Sequence, residues 1–281
     1  MTESASQTPL SSWETYAASW DLGMGDEGND YFQHLELPIL EKLIINPEGS
    51  LALDLATGNG LVARWLARKG ATVVATDGAP SMVERAIART AKLRSERNIS
   101  FYVLDVTSSS SCDHFVSRIA RTLPVGDSFD IVSMNMAVMD IPDLEILASF
   151  LGRILTPNGC FVATLLHPMF FTSGASRQIL VKEDPTTGQE VIVRSINLQK
   201  YLNAPPVKQL VLPGDANIER PFLFHRPLHQ LFAPFFQAGL VMDALEETNF
   251  GESFYDPLRQ HSSRNFTEFP KILGFRMRRA H

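Results

Sequence analysis

Leu51-Ala52-Leu53-Asp54-Leu55 runs directly into Ala56-Thr57-Gly58-Asn59-Gly60, and this stretch, LALDLATGNG over residues 51–60, decides the fold. Its first half is apolar except for Asp54 and has the length of a strand buried on both faces of a parallel sheet. The second half turns the chain tightly. Residues 61–69, LVARWLARK, then read as a helix with cations in its last turn and Gly70 as its C-cap. A glycine turn between a buried strand and a helix N-terminus presents backbone N–H groups and the positive end of the helix dipole. Residues 72–76 give a second strand, which ends at Asp77 in the acidic turn Ala75-Thr76-Asp77-Gly78. A carboxylate at the tip of the second strand is where the two hydroxyls of a ribose can be held. The pattern is half of a site for a nucleoside-containing cofactor.

Two cofactors fit these residues. Gly58-Asn59-Gly60-Leu61-Val62-Ala63 satisfies G-x-G-x-x-(G/A), the dinucleotide fingerprint of NAD-dependent oxidoreductases, with an acid at the expected distance. The same stretch resembles the first motif of class I S-adenosylmethionine-dependent methyltransferases, a hydrophobic strand with Asp followed by (G/A)-x-G-x-G. Ala56 stands at that family's first glycine, a departure that is tolerated where the position needs no positive φ. The motif alone leaves the two readings open.

Working outward, residues 1–11 are polar and read as a disordered leader, with no apolar segment of a signal peptide. Residues 12–45 are expected to form a helical lid. Trp13, Tyr16 and Trp20 lie on its first helix, and helical spacing resumes from Phe32 to Ile44 with a bend at Pro38. Here the two tryptophans are expected to pack the helix onto the sheet, and Tyr16 to reach the site. Residues 46–166 form the core. Pro80 opens a helix to Arg97, with Met82 one turn in, and residues 99–104 give a third strand ending at Asp105. Acids thus recur at strand ends at Asp54, Asp77 and Asp105, a spacing that suits one ligand stretched across the carboxyl ends of parallel strands. A fourth strand follows at residues 129–136, a helix at 142–155 and a fifth strand after the Pro157–Gly159 turn.

Beyond the fifth strand the strand–helix alternation stops. Residues 167–222 read as an insertion that covers a substrate, with a β-hairpin of residues 178–181 and 190–196 about an Asp-Pro-Thr-Thr-Gly loop and further turns at 203–206 and 212–215. Residues 223–281 supply a helix at 227–238 and two closely spaced strands expected to pair as an antiparallel C-terminal hairpin. The predicted fold is therefore α/β: a doubly wound, Rossmann-like, seven-stranded and mostly parallel sheet. With 281 residues, 44% apolar and 20% charged, the chain can bury a full core. A net charge of −6 argues against nucleic acid or an anionic membrane as partner. Two isolated cysteines suit a reducing, cytoplasmic setting and form neither a disulfide framework nor a zinc site.

The order Phe129-Asp130-Ile131-Val132, a helix, then Leu155-Thr156-Pro157-Asn158-Gly159 before an apolar strand resembles the same methyltransferase family, and it decides for S-adenosylmethionine over NAD. The resemblance implies a cofactor-binding set of Asp54, Ala56, Thr57, Gly58, Asn59, Gly60, Asp77, Gly78, Met82, Asp105, Val106, Asn135 and Met136. It also implies methyl transfer to an O or N atom of a small molecule, for which the crowd of phenylalanines in residues 170–236 suggests an apolar or aromatic body. Methyl transfer from a sulfonium is an in-line displacement that asks the protein for alignment and exclusion of water. An oxygen or protonated-amine acceptor also loses a proton, for which His167, His225 and Tyr16 are the candidates. No spacing of a metal-dependent methyltransferase is present, so no metal is expected. The competing readings are an NAD-dependent oxidoreductase and a methyltransferase-like protein that holds the cofactor without transferring methyl.

Overall fold

A computed structural model describes residues 9–91, 98–122, 128–209 and 220–280. Its centre is a seven-stranded sheet in the order β10-β11-β5-β4-β1-β2-β3. The strands are β1 (Leu51–Leu55), β2 (Thr72–Asp77), β3 (Ile99–Val103), β4 (Phe129–Asn135), β5 (Leu155–Leu166), β10 (Leu240–Thr248) and β11 (Ile272–Arg279). β1 pairs in parallel with β2 and β4, β2 with β3, and β4 with β5, whereas β11 runs antiparallel to both β5 and β10. This is the predicted sheet.

The helices cover both faces. Leu51, Leu53 and Leu55 point to one side, where they pack with Phe115 of α5 (Ser109–Thr122), Leu147 of α6 (Glu145–Ile154) and Leu231 of α7 (Leu228–Gln237). Ala52 faces the other side and joins Ile39 of α2 (Leu37–Leu43) and Leu66 of α3 (Leu61–Arg68). Every residue of β1 is buried, the expected consequence of covering a parallel sheet on both faces.

Several boundaries differ from the sequence expectation. α1 spans Pro9–Met24, so residues 9–11 belong to a helix and not to a leader; residues 1–8 lie outside the described residues. Of the expected lid, α1 lies over the sheet's carboxyl edge. The second half of the expected lid, a π-helical turn (Phe32–Glu36) running into α2, is core, because Leu35, Ile39 and Leu40 are fully buried beneath β11. α4 is Pro80–Thr90; the remainder of that predicted helix, to Arg97, and the predicted turn at 212–215 lie largely or wholly outside the described residues. β10 and β11 pair as expected, but residues 249–271 separate them as a folded loop with two short 3-10 turns. Asn265 organises that loop, since its amide donates to the Asp256 and Arg259 carbonyls at 2.8 and 3.2 Å.

The expected hairpin forms from β6 (Ser176–Glu183) and β7 (Glu190–Asn197), with Leu180 opposite Val193. It is a separate two-stranded ribbon with exposed apolar side chains, and it is not part of the main sheet. The shorter pair β8 (Val207–Lys208) and β9 (Phe222–Leu223) lies closer to the core: Phe224 N–H donates to the Met139 carbonyl at 2.7 Å. Among the described residues no helix is long and apolar enough to cross a membrane.

Candidate active site

At the carboxyl ends of β1 to β4 lies a cavity of about 330 Å³, at the lower end of the range for small-molecule sites. Its walls come from the tips of four neighbouring strands. Ala56 and Gly58 follow β1, Asp77 and Gly78 end β2, Leu104 to Thr107 follow β3, and Met134 to Ala137 end β4. Met82 of α4 forms part of the wall, and Pro9, Leu10, Trp13 and Trp20 of α1 close the top. β1 and β4 are the strands from which the chain winds in opposite directions, where open α/β sheets bind their ligands.

The turn after β1 is built by its own short side chains. Asp54, fully buried, accepts hydrogen bonds from Thr57 Oγ1 at 2.6 Å and Ser133 Oγ at 2.7 Å. Thr57 N–H donates to the Thr76 carbonyl at 2.8 Å, and its own carbonyl accepts from Gly60 N–H at 2.9 Å. Gly58 and Gly60 have φ of +56° and +87°, which suits glycine. Ala56 also takes a positive φ, +52°, so the alanine at the motif's first glycine is strained. A Cβ on Gly58 would stand 3.1 Å from Trp20 Nε1, and one on Gly78 would stand 2.7 Å from Leu10 Cδ1. The two glycines thus let α1 lie close over the backbone.

Two carboxylates face the cavity at successive strand tips. Asp77 accepts from Gly58 N–H and Ala79 N–H, both at 2.9 Å, which ties the glycine turn to the start of α4. Burial raises its pKa to about 6 against the opposition of those backbone hydrogen bonds. Asp105 accepts from Thr107 N–H at 2.9 Å and Thr107 Oγ1 at 2.6 Å through a single oxygen, Oδ1. At the end of β4, Asn135 donates to Glu36 Oε2 at 2.7 Å and accepts from Thr164 Oγ1 at 2.6 Å. Met136 has φ +55°, a strained value at the cavity wall, and its N–H donates to the Thr164 carbonyl at 2.9 Å.

α1 is fastened at both ends. Glu14 accepts from Ser81 N–H at 3.1 Å and from the Ser81 hydroxyl, and so caps α4. Asp21 pairs with Arg85 and Arg89, and Asn59 Nδ2 donates to Asp21 Oδ1 at 3.2 Å and the Gly25 carbonyl at 3.0 Å. Arg64, fully buried in α3, donates to the carbonyls of Asn59 at 2.6 Å and Asp26 at 3.0 Å.

Of the predicted cofactor set, Ala56, Gly58, Asp77, Gly78, Met82, Asp105, Val106, Asn135 and Met136 are brought together on the cavity wall. Asp54, Thr57, Asn59 and Gly60 are not. They sit behind the wall and shape it, because both Asp54 oxygens and the Asn59 amide are committed to protein partners. Burial raises the pKa of Asp54 to about 6, another sign that it is enclosed.

The three proton-accepting candidates lie elsewhere. Tyr16 is buried edge-on against Trp13, 5.9 Å between centroids, and the tryptophans expected to be packing residues are the ones that line the cavity. On α1, Trp13 and Trp20 face the opening, whereas Tyr16 is buried and is not among the residues of the cavity wall. His167 Nδ1 accepts from Met169 N–H at 3.2 Å, so its Nε2–H donates to Glu247 Oε1 at 2.7 Å. Burial lowers its pKa, with Glu247 opposing, and its ring packs 4.8 Å from Phe170. His225 donates from Nε2 to the Tyr201 carbonyl at 2.6 Å and accepts at Nδ1 from Thr172 Oγ1 at 2.7 Å. With both ring nitrogens engaged, each histidine pins the insertion to the body and has no nitrogen directed at the cavity.

Two carboxyls were missed in the sequence. Asp140 lines the cavity, accepts from Gln209 Nε2 at 2.8 Å, and has its pKa raised well above the usual carboxylate value by burial, with Asp77 adding repulsion. Glu36, at 4% exposure, stands behind Asn135 with a pKa that burial raises to about 7. Each is an acid set in an apolar run, VMDIP and HLELP, a signal that alternation and helical spacing both discard as noise.

Residues 53–163 match the family described as "Methyltransferase domain", and the sheet order, glycine turn and strand-tip carboxylates are those of the Rossmann-like methyltransferase fold. The chain carries this domain, and S-adenosylmethionine is the cofactor of its class. It is 31% identical over 143 residues to an uncharacterized methyltransferase of Synechocystis, covering 50% of this chain and 56% of that one. It is also 31% identical over 167 residues to a ubiquinone biosynthesis O-methyltransferase of Rhizobium leguminosarum, covering 56% of this chain and 58% of the relative. The chain thus spans about half the length of the curated relatives it matches. A crystal structure of an S-adenosylmethionine-dependent methyltransferase from Mesorhizobium loti shares the fold, with TM-score 0.62 at 20% identity, over 91% of this chain and 100% of that one.

Proposed function

We propose that the protein transfers the methyl group of S-adenosylmethionine to an oxygen or nitrogen atom of an apolar or aromatic small molecule, with oxygen the favoured acceptor. The observation that carries the proposal is the cavity itself, where a glycine turn and two carboxylates on successive strand tips face one space under an aromatic lid. The residues suit the cofactor on the chemistry of their donors and acceptors. Asp77 offers lone pairs to two ribose hydroxyls and Asp105 to an adenine amino group, and the open backbone at Ala56 and Gly58 lets the methionine end come close to the strand tips. Met82 gives the apolar surface against which an adenine stacks. When bound, the cofactor supplies an activated methyl on a sulfonium, so the chain's task is to align the acceptor and keep water out.

Trp13, Trp20 and Leu10 serve the second task, and Ile141, Pro142 and Ala137 give an apolar wall for the acceptor. Asp140 takes the place of the histidines as proton acceptor in this reading, because among the described residues it is the titratable group in the cavity besides Asp77 and Asp105. Its raised pKa makes it a stronger base than an ordinary carboxylate. Similarity to a relative named as an O-methyltransferase supports an oxygen acceptor. The test is turnover against a panel of phenols and aromatic amines, read as formation of S-adenosylhomocysteine. Asp140→Asn is expected to lower kcat by about 10²-fold or more, the usual contribution of a positioned base, and to remove the loss of activity at acid pH. No product from any acceptor despite tight cofactor binding would favour a protein that holds the cofactor without methyl transfer.

A further inference from the structure

The β6–β7 ribbon stands apart from the main sheet and, among the described residues, leaves apolar side chains exposed on it. Leu180 and Val181 are 51% and 56% exposed, and Val191 and Ile192 beside them are exposed too. An isolated two-stranded ribbon is marginal in water, and exposed apolar patches on a folded chain mark contact surfaces. β7 is fastened at its base, where Arg194 donates to Tyr255 Oη at 3.2 Å and Gln260 Oε1 at 3.0 Å. Among the described residues no further strand pairs with the outer edge of β6.

We propose that β6 pairs antiparallel with β6 of a second copy of this chain, about a two-fold axis through Leu180, to make a four-stranded sheet in the order β7-β6-β6-β7. The strand's own sequence, SRQILVKE over residues 176–183, is the argument. In that register Leu180 faces its twin, Ile179 faces Val181, and Arg177 faces Glu183 twice over. Directly opposed residues lie on one face in an antiparallel pair, so both apolar and both charged pairings are in contact. The neighbouring two-fold register, centred on Ile179, sets Arg177 against Val181 and leaves Glu183 without its cation. Because Leu180 already faces Val193 within the ribbon, the pairing continues one apolar row, Val193-Leu180-Leu180-Val193, across all four strands. A two-fold interface must be self-complementary, and the charges flanking this strip are.

The full chain is examined by sedimentation equilibrium, with cofactor binding and far-UV circular dichroism as controls for folding. Wild type is expected at twice the chain mass, and Leu180→Asp, which opposes two carboxylates on the axis, at the monomer mass. Arg177→Glu should weaken the dimer about tenfold or more, and the double reversal Arg177→Glu with Glu183→Arg should restore it. Leu180→Cys should crosslink into a covalent dimer on oxidation, since directly opposed Cα atoms lie within disulfide reach. A monomeric wild type at high concentration, or a dimer indifferent to Leu180→Asp and to charge reversal, would overturn the proposal.

Discussion

Glu36 gives the sharpest quantitative prediction, because its carboxyl is enclosed and has one hydrogen-bond donor, Asn135, to offset the loss of water. Burial raises its pKa from the ordinary 4.5 to about 7. Between those values the folded protein holds a proton that the unfolded chain has released. Unfolding then releases that proton, and stability falls as pH rises through the window. At 1.36 kcal/mol per tenfold change in acidity, the ionisation of Glu36 costs at most roughly 3 kcal/mol above pH 7. Glu36→Gln keeps an acceptor for Asn135 and cannot ionise. Relative to wild type it should be neutral near pH 4 and gain up to about 3 kcal/mol near pH 8, a rise in Tm of roughly 5–10 °C for a chain of this size. The assay is urea or thermal unfolding of both proteins from pH 4 to pH 8. A fixed cost from the second amide N–H shifts the whole difference curve, so the slope with pH is what is read. A difference that does not change with pH would refute the reasoning.

Two further outcomes follow from local geometry. Ala56→Gly should stabilise the protein by about 0.5–1 kcal/mol in urea unfolding, because glycine takes φ +52° without the Cβ clash; a clear loss of stability would show that Ala56 is not strained there. His167→Gln and His225→Gln should each lower stability by about 1–3 kcal/mol through unpaired buried partners while the folded fraction keeps its kcat. A fall in kcat of about 10²-fold at unchanged stability would return that histidine to the chemistry.

What the sequence disclosed was local. The β1–turn–α3 unit, the acids at the tips of β2 and β3 and the pairing of β6 with β7 each follow from residues close together in the chain, and all appear where they were expected. What it hid depends on contacts between distant segments. Asp54 is spent on Ser133, far along the chain, and His225 on Thr172 and Tyr201, so neither is left for a ligand. The tryptophans and Tyr16 share one helix, and which of them faces the cavity depends on how Glu14 and Asp21 dock that helix onto α4. The insertion shows the same limit. Alternation identifies β6 and β7 as strands but says nothing about what lies against them, and none of their residues lines the cavity that the insertion was expected to cover.

The central claim is that Asp77 and Asp105 hold one cofactor across the strand tips, and calorimetric titration of S-adenosylmethionine into wild type and Asp77→Ala tests it most directly. The account predicts binding to wild type and a loss of about 1–3 kcal/mol in the variant, the usual cost of leaving hydroxyl partners unmatched, which is roughly 5- to 150-fold in Kd. Equal affinity in the two proteins, or tight binding of NAD with none of S-adenosylmethionine, would contradict it.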